Sequence, residues 1–246
     1  FTFLALGIPG ILLGVVLLLT VKEPERGRYD VKKSTGADRE NMRATLASLL
    51  KNKVYVRISI SFALLTMVGY AMAIWMAPIM LRNYDVSVGT VGLYLGCAYL
   101  IGGIPGPVIG GYLTDYLVKF DPRWRAWMPA IAILFVIFFY WLCLSATSLV
   151  GFLGFFTLAY ALFMLPQAAS MSLLQTSVHS GQRALAVSFA LLINNLLGQA
   201  LGPLLIGLSS DALTPTLGEK ALNYSVFGLC SIAAVLAALS YYHTAR

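Results

Sequence analysis

Seven apolar runs of about twenty residues or more follow one another along this chain, and no Asp, Glu, Lys or Arg sits deep inside any of them. They cover roughly 1–21, 57–80, 89–113, 127–145, 150–174, 184–209 and 222–242. A hydrocarbon core about 30 Å thick takes about 20 apolar residues to cross as a helix, so each run can span it. The runs are continuous rather than alternating, which favours helices over barrel strands. Hydrophobic residues make up 59% of the 246 and charged ones only 11%, against about 25% charged in a soluble domain. The expected fold is all-α and integral to the membrane, with seven transmembrane helices.

The connections set the threading. Segments 22–57, 114–126, 175–183 and 243–246 carry fifteen of the seventeen Lys and Arg residues, and the opposite side carries only Arg82 and Lys220. Cytoplasmic loops collect Lys and Arg, so the first residue is expected outside and the C-terminus in the cytoplasm. The net charge of +7 then belongs to a membrane surface, with lipid and not nucleic acid as its partner. Residue 1 is Phe and the apolar sequence starts without a basic flank, unlike a signal peptide. The expectation is a chain that begins partway through a larger protein. Cys97, Cys143 and Cys230 all lie inside apolar runs, with neither disulfide nor metal spacing.

One long polar stretch separates the first two runs. Lys22 to Gly36 is rich in charge and turn formers and reads as an irregular loop. From Asp38, a candidate N-cap, Met42, Leu46, Leu49 and Leu50 recur at helical spacing among Arg39, Arg43, Lys51 and Lys53. Two readings fit: an amphipathic helix on the membrane face, or a solvated linker helix.

An ionisable side chain in hydrocarbon is costly and is kept only for use. Their absence from the spans removes general acids and bases, metal ligands and a retinal-type lysine. The reading is therefore no enzyme, no cofactor and no metal. What remains inside is polar but uncharged. Thr157, Tyr160, Met164, Gln167 and Met171 share one helix face at 3-4-3-4 spacing, Thr66 and Tyr70 stack at i, i+4, and so do Asn195 and Gln199, beside Asn194. Such faces suit a cavity for an amphipathic ligand; bonding that only holds helices together is the alternative. The cavity candidates are Thr66, Tyr70, Tyr160, Met164, Gln167, Asn195 and Gln199. Gly102, Gly106 and Gly110 repeat every four residues around Pro105 and Pro107, and Gly198 and Gly202 repeat the device. Such glycines let another backbone approach, while the prolines bend the third span.

Several segments resemble a known family. GGYLTD, ending at Asp115 and followed by Lys119, Arg123 and Arg125, resembles the cytoplasmic gating motif of the major facilitator superfamily, Gly-x-x-x-Asp-Arg/Lys-x-Gly-Arg/Lys-Arg/Lys. Gly111, Asp115 and Lys119 match it, whereas Tyr116 and Val118 stand where a base and a glycine are expected. VKEPERG resembles the end of that superfamily's sixth helix. FLALGIPGILLG, GGYLTDYLVKFDPRWRAWMPAIA and RALAVSFALLINNLLGQALGPLLIGLSSDAL look like bacterial spinster-type transporters.

The resemblance implies that 1–21 is the last helix of an N-terminal bundle. It makes 22–56 the cytoplasmic inter-bundle loop and 57–246 the C-terminal six-helix bundle of a twelve-helix fold. It also implies a cytoplasmic gate at Gly111, Asp115, Lys119 and Arg125, a partner in the missing N-terminal half, and a bacterial inner-membrane location. The function expected is secondary transport of a small or lysolipid-like solute by alternating access, proton-coupled through residues of the missing half. A seven-helix receptor and a non-transporting scaffold are the alternatives. Against the receptor, the longest loop follows the first helix and no DRY or NPxxY signature is present.

Overall fold

The computed structural model describes residues 2–21 and 42–245, and helix is the regular structure throughout them. The expected loop Lys22–Gly36 and the candidate cap Asp38 lie outside the described residues. The chain divides into two units, Phe1–Asn41 and Met42–Arg246. The first contains α1, Thr2–Thr20, about 28 Å long and so close to the thickness of a hydrocarbon core. Thr20 Oγ1 donates to Val16 O at 2.6 Å, and the helix ends at Val21.

The larger unit starts with α2, Met42–Lys51, and α3, Lys53–Asn83. Asn52 separates them and explains the break. Its Oδ1 accepts from the Val54 and Tyr55 N–H groups at 3.1 and 3.2 Å, capping α3. Its Nδ2 donates to Ser177 O at 3.0 Å. The α2 helix begins at Met42, and the residues it buries are Thr45 and Leu49; Met42 and Leu50 are exposed. Leu49 joins Tyr55, Ile58, Leu174, Ala186 and Ala190 in one cluster. Residues 42–56, expected as part of a linker, thus belong to the compact unit: α2 docks on protein rather than lying free.

The remaining helices are α4 (Val88–Gly103), α5 (Pro105–Val118), α6 (Trp124–Ser145), α7 (Leu149–Met164), α8 (Gln167–Thr176), α9 (Arg183–Ile193), α10 (Gly202–Leu217) and α11 (Ala221–Thr244). A π-helical segment, Asn194–Leu201, joins α9 to α10. α4 continues into α5, α7 into α8, and α9 through the π segment into α10. With α3, α6 and α11 these make six legs among the described residues, the last two falling in one apolar helical stretch, Ser180–Thr244, and parted at Gly218–Lys220.

Three legs have their α-helical pattern interrupted beside a proline: at Ile104 before Pro105, at Leu165–Pro166, and in the π segment before Pro203. A proline has no N–H and its ring crowds the carbonyl four residues back, so the helix breaks or widens to the i→i+5 register. The interruption at Ile104 falls in the third span, where the prolines predict a bend, and two others accompany it.

Lipid tails are as apolar as leucine, so these helices associate by close packing and internal hydrogen bonds. α3 and α11 are the central pair, with Leu65, Val68, Met72 and Met76 packed in a core shared with Ala233, Ala234 and Ala237. Gly102, Gly106 and Gly110 face α7 and its end. A Cβ added at Gly102 would lie 2.8 Å from Thr157 O, one at Gly106 would lie 2.7 Å from Ala161 O, and one at Gly110 would collide with the Leu165 backbone. Buried Tyr241 Oη donates to Ser170 Oγ at 2.8 Å, tying α11 to α8. At the other end Tyr84 Oη donates to Ala146 O at 2.8 Å; burial, then the neighbouring Cys143 thiol, raises the Tyr84 pKa.

Candidate substrate cleft

The bundle holds a cleft of about 450 Å³. α3 supplies Phe62, Thr66, Gly69, Tyr70 and Ala73, α7 supplies Tyr160, Phe163 and Met164, α8 supplies Gln167, and the π segment supplies Asn194. Gly69 is needed here because a Cβ would run into the Phe163 ring. The Tyr160 ring lies edge-on to Tyr99 at a centroid distance of 4.7 Å, which fixes it on the cleft wall.

Among the described residues seven buried side-chain polar atoms lack a hydrogen-bond partner, and two of them belong to residues that line the cleft. Thr66 and Asn194 are 6% and 7% exposed, and neither Thr66 Oγ1 nor Asn194 Oδ1 has a hydrogen-bond partner. The close fit of the π segment on α3 brings them together. A Cβ added at Gly198 would lie 3.0 Å from Ala63 O and 3.2 Å from both Thr66 Cβ and Asn194 Oδ1; one at Gly202 would lie 2.7 Å from Met67 Cγ. A buried polar atom without a partner costs about 1–3 kcal/mol, which a ligand hydroxyl or amide bonding to it would recover. The lining contains no Asp, Glu, Lys or Arg. The cleft is therefore chemically a neutral hydrogen-bonding patch beside an apolar wall of Phe62, Phe163 and Met164.

Thr66, Tyr70, Tyr160, Met164 and Gln167, named from sequence spacing, come together on this cleft. Gln167 carries the stripe across the break at Pro166, but the residues at its two ends leave it. Thr157 instead lines a separate groove with Tyr94 and Cys97, its Oγ1 donating to Leu153 O at 2.7 Å. Met171 packs against the cores. Asn195 and Gln199 are exposed and do not line the cleft; Asn194 does. The side of the π segment that meets the cleft is that of their neighbour Asn194. Phe62, Gly69 and Phe163 gave no polar signal to find them by.

Gly111 and Asp115 lie in the last turns of α5, with Lys119 directly after. Gly111 has open space at its Cβ position. Asp115 and Lys119 are exposed and Arg125 is half-buried. The structure does not join Asp115, Lys119 and Arg125 in an ion pair among the described residues. Asp121 Oδ1 accepts the Arg123 N–H at 2.8 Å and shapes the turn into α6.

The sequence pattern that defines the Major Facilitator Superfamily matches residues 1–203, more than four-fifths of the chain. The chain belongs to the Major Facilitator Superfamily. Superfamily proteins similar to it include an MFS-type efflux pump of Mycolicibacterium smegmatis, 29% identical over 79% of this chain and 45% of that protein. The sphingosine-1-phosphate transporter SPNS2 of Danio rerio is 27% identical over 96% of this chain and 50% of that one. The chain spans about half the length of these relatives. A crystal structure of a bacterial homolog of the human lysosomal transporter spinster, inward-facing and unoccupied, superposes with a TM-score of 0.74 at 25% identity. That match covers 100% of this chain and 58% of the other. The same homolog in its occupied form gives 0.71. Membership places the chain in the membrane, and these relatives are themselves transporters or pumps.

Proposed function

We propose that this chain supplies one bundle of a secondary transporter that moves an amphipathic, lipid-like organic solute by alternating access, and that its cleft is one wall of the solute site. The observation that carries the reading is the pair Thr66 Oγ1 and Asn194 Oδ1, buried without partners on a cleft of about 450 Å³. Hydrogen bonds there would hold the solute's polar part, while Phe62, Phe163 and Met164 take its apolar part. Zebrafish SPNS2 is named for sphingosine-1-phosphate, which supports a lipid-like cargo. An anionic head needs a cation, and this lining offers none, so in this reading a second bundle supplies it together with the proton-coupling carboxylate.

The same reading assigns Gly111, Asp115, Lys119 and Arg125 to one half of a cytoplasmic gate. Their spacing and the absence of an ion pair for Asp115 among the described residues support it, since a gate carboxylate must be available to the opposite bundle. The same reading threads the chain with its first residue outside and its C-terminus in the cytoplasm, supported by the Lys and Arg distribution, and sets it in a bacterial inner membrane, supported by the bacterial relative. The test is uptake of a lysophospholipid by the full-length transporter in proteoliposomes, with and without an imposed proton gradient. Gradient-driven uptake that falls in Asp115→Asn is expected. Uptake indifferent to both the gradient and that substitution would remove coupling and gate together.

A further inference from the structure

Away from the cleft, α6, which contributes nothing to the cleft lining, forms one wall of an apolar groove of about 190 Å³. Leu117 of α5, Trp124, Met128, Ile131 and Phe135 of α6, and Leu165 border it. From Trp124 to Phe135 the groove follows α6 for eleven residues, about 16 Å. That matches one leaflet, half of a hydrocarbon core about 30 Å thick. Trp124 lies edge-on to Trp127 with centroids 5.7 Å apart, and both aromatics sit at the end of the span where such residues meet head groups.

Three cations cluster at that same end. Lys119 follows the groove residue Leu117 by two positions, and Arg123 and Arg125 flank Trp124. None of the three has an ion-pair partner among the described residues. Of the two nearby carboxylates, Asp121 is turned to the Arg123 N–H and Asp115 lies a helical turn back from Lys119. A slot one leaflet deep, apolar along its length and topped by unpaired cations, matches one molecule class: an acyl chain carrying an anionic phosphate.

We propose that this groove holds one acyl chain of an anionic phospholipid of the surrounding bilayer, with Lys119, Arg123 and Arg125 meeting its phosphate. The site is distinct from the solute cleft but shares Lys119 and Arg125 with the proposed gate; Arg123 belongs to the lipid site alone, and the lipid-binding test does not depend on what the cleft carries. The test reconstitutes the protein in nanodiscs of equal phosphatidylglycerol and phosphatidylcholine and counts retained lipid by native mass spectrometry. One retained phosphatidylglycerol is expected, preferred about tenfold over phosphatidylcholine. Arg123→Gln with Arg125→Gln brings the preference close to unity, and Arg123→Lys with Arg125→Lys keeps most of it. Ile131→Trp, a change at a half-exposed position, fills the groove and releases both lipids; Leu113→Trp does so from the facing wall should the first variant fold poorly. Equal retention of the two lipids by the unmodified protein would overturn the proposal, and so would an unchanged preference in the double Gln variant. Displacement of the lipid by glycerol 1-phosphate, which has no acyl chain, would also overturn it, making the loop a free-anion site.

Discussion

Neighbouring glycines on α5 should respond to the same substitution with opposite signs. A Cβ added at Gly110 collides with the backbone of Leu165, which cannot swing away as a flexible side chain could. At Gly111, one residue on, nothing lies within 4 Å. Gly110→Ala therefore forces α5 off the end of α7, and overpacking of this kind costs about 1–3 kcal/mol; contact with backbone puts it at the upper end. Gly111→Ala meets no neighbour and gains helix propensity, about 0.5–1 kcal/mol. Gly102→Ala and Gly106→Ala fall between, each needing a retreat of about 0.6–0.7 Å from carbonyl oxygens now 2.8 and 2.7 Å away. Thermal unfolding in mild detergent reads the series at about 2–4 °C per kcal/mol for a chain of this size. Gly110→Ala should lower the midpoint by about 5–10 °C and Gly111→Ala should raise it slightly. Equal shifts at 110 and 111 would refute the packing of α5 against Leu165.

Three further outcomes can be checked separately. Tyr55→Phe removes the bond from Tyr55 Oη to Ala186 O at 2.8 Å and should destabilise by about 1–2 kcal/mol in the same unfolding assay, because the buried carbonyl loses its partner. Asn52→Ala removes the α3 cap and the link to Ser177 O and should cost about 1–2 kcal/mol, seen also as faster amide exchange at Val54 and Tyr55. Pro203→Ala restores the missing N–H, so the π segment should relax toward α-helix. Cysteine labelling would then show position 194 becoming more accessible relative to 195, whereas an unchanged pattern would mean that proline is not what holds the π register.

The membrane class was legible because its cause is unambiguous: uncharged runs of membrane length admit few other folds. The glycine steps at 102, 106 and 110 could be read as a face because four residues is close to one helical turn. Spacing arguments failed where they had to say which residues of a face meet the cleft. Thr157 and Tyr160 share the unbroken helix α7, but three residues leave them about 60° apart around it. That is enough to turn Thr157 to the groove with Tyr94 and Cys97 while Gln167 stays on the cleft beyond Pro166. Asn195 and Gln199 pair by spacing, but spacing does not say which side of the helix meets the cleft, and the structure puts Asn194 there. Pro203 was the available signal of the π segment, but prolines are an unreliable guide: Pro78 and Pro129 lie inside α3 and α6 without a break. Phe62, Gly69 and Phe163 are ordinary apolar residues in sequence, and only tertiary packing distinguishes them from the rest of the core.

The central claim is that Thr66 and Asn194 are left unpaired in the bundle because the solute is their partner. Thr66→Val in the full-length transporter tests it with two readings from one variant. The substitution removes a buried hydroxyl without a partner, so stability without solute should rise by about 1 kcal/mol. Solute affinity, read as KM for uptake, should weaken about 5- to 15-fold for the lost hydrogen bond. A variant that is less stable than its parent, or one that transports with an unchanged KM, would contradict the account.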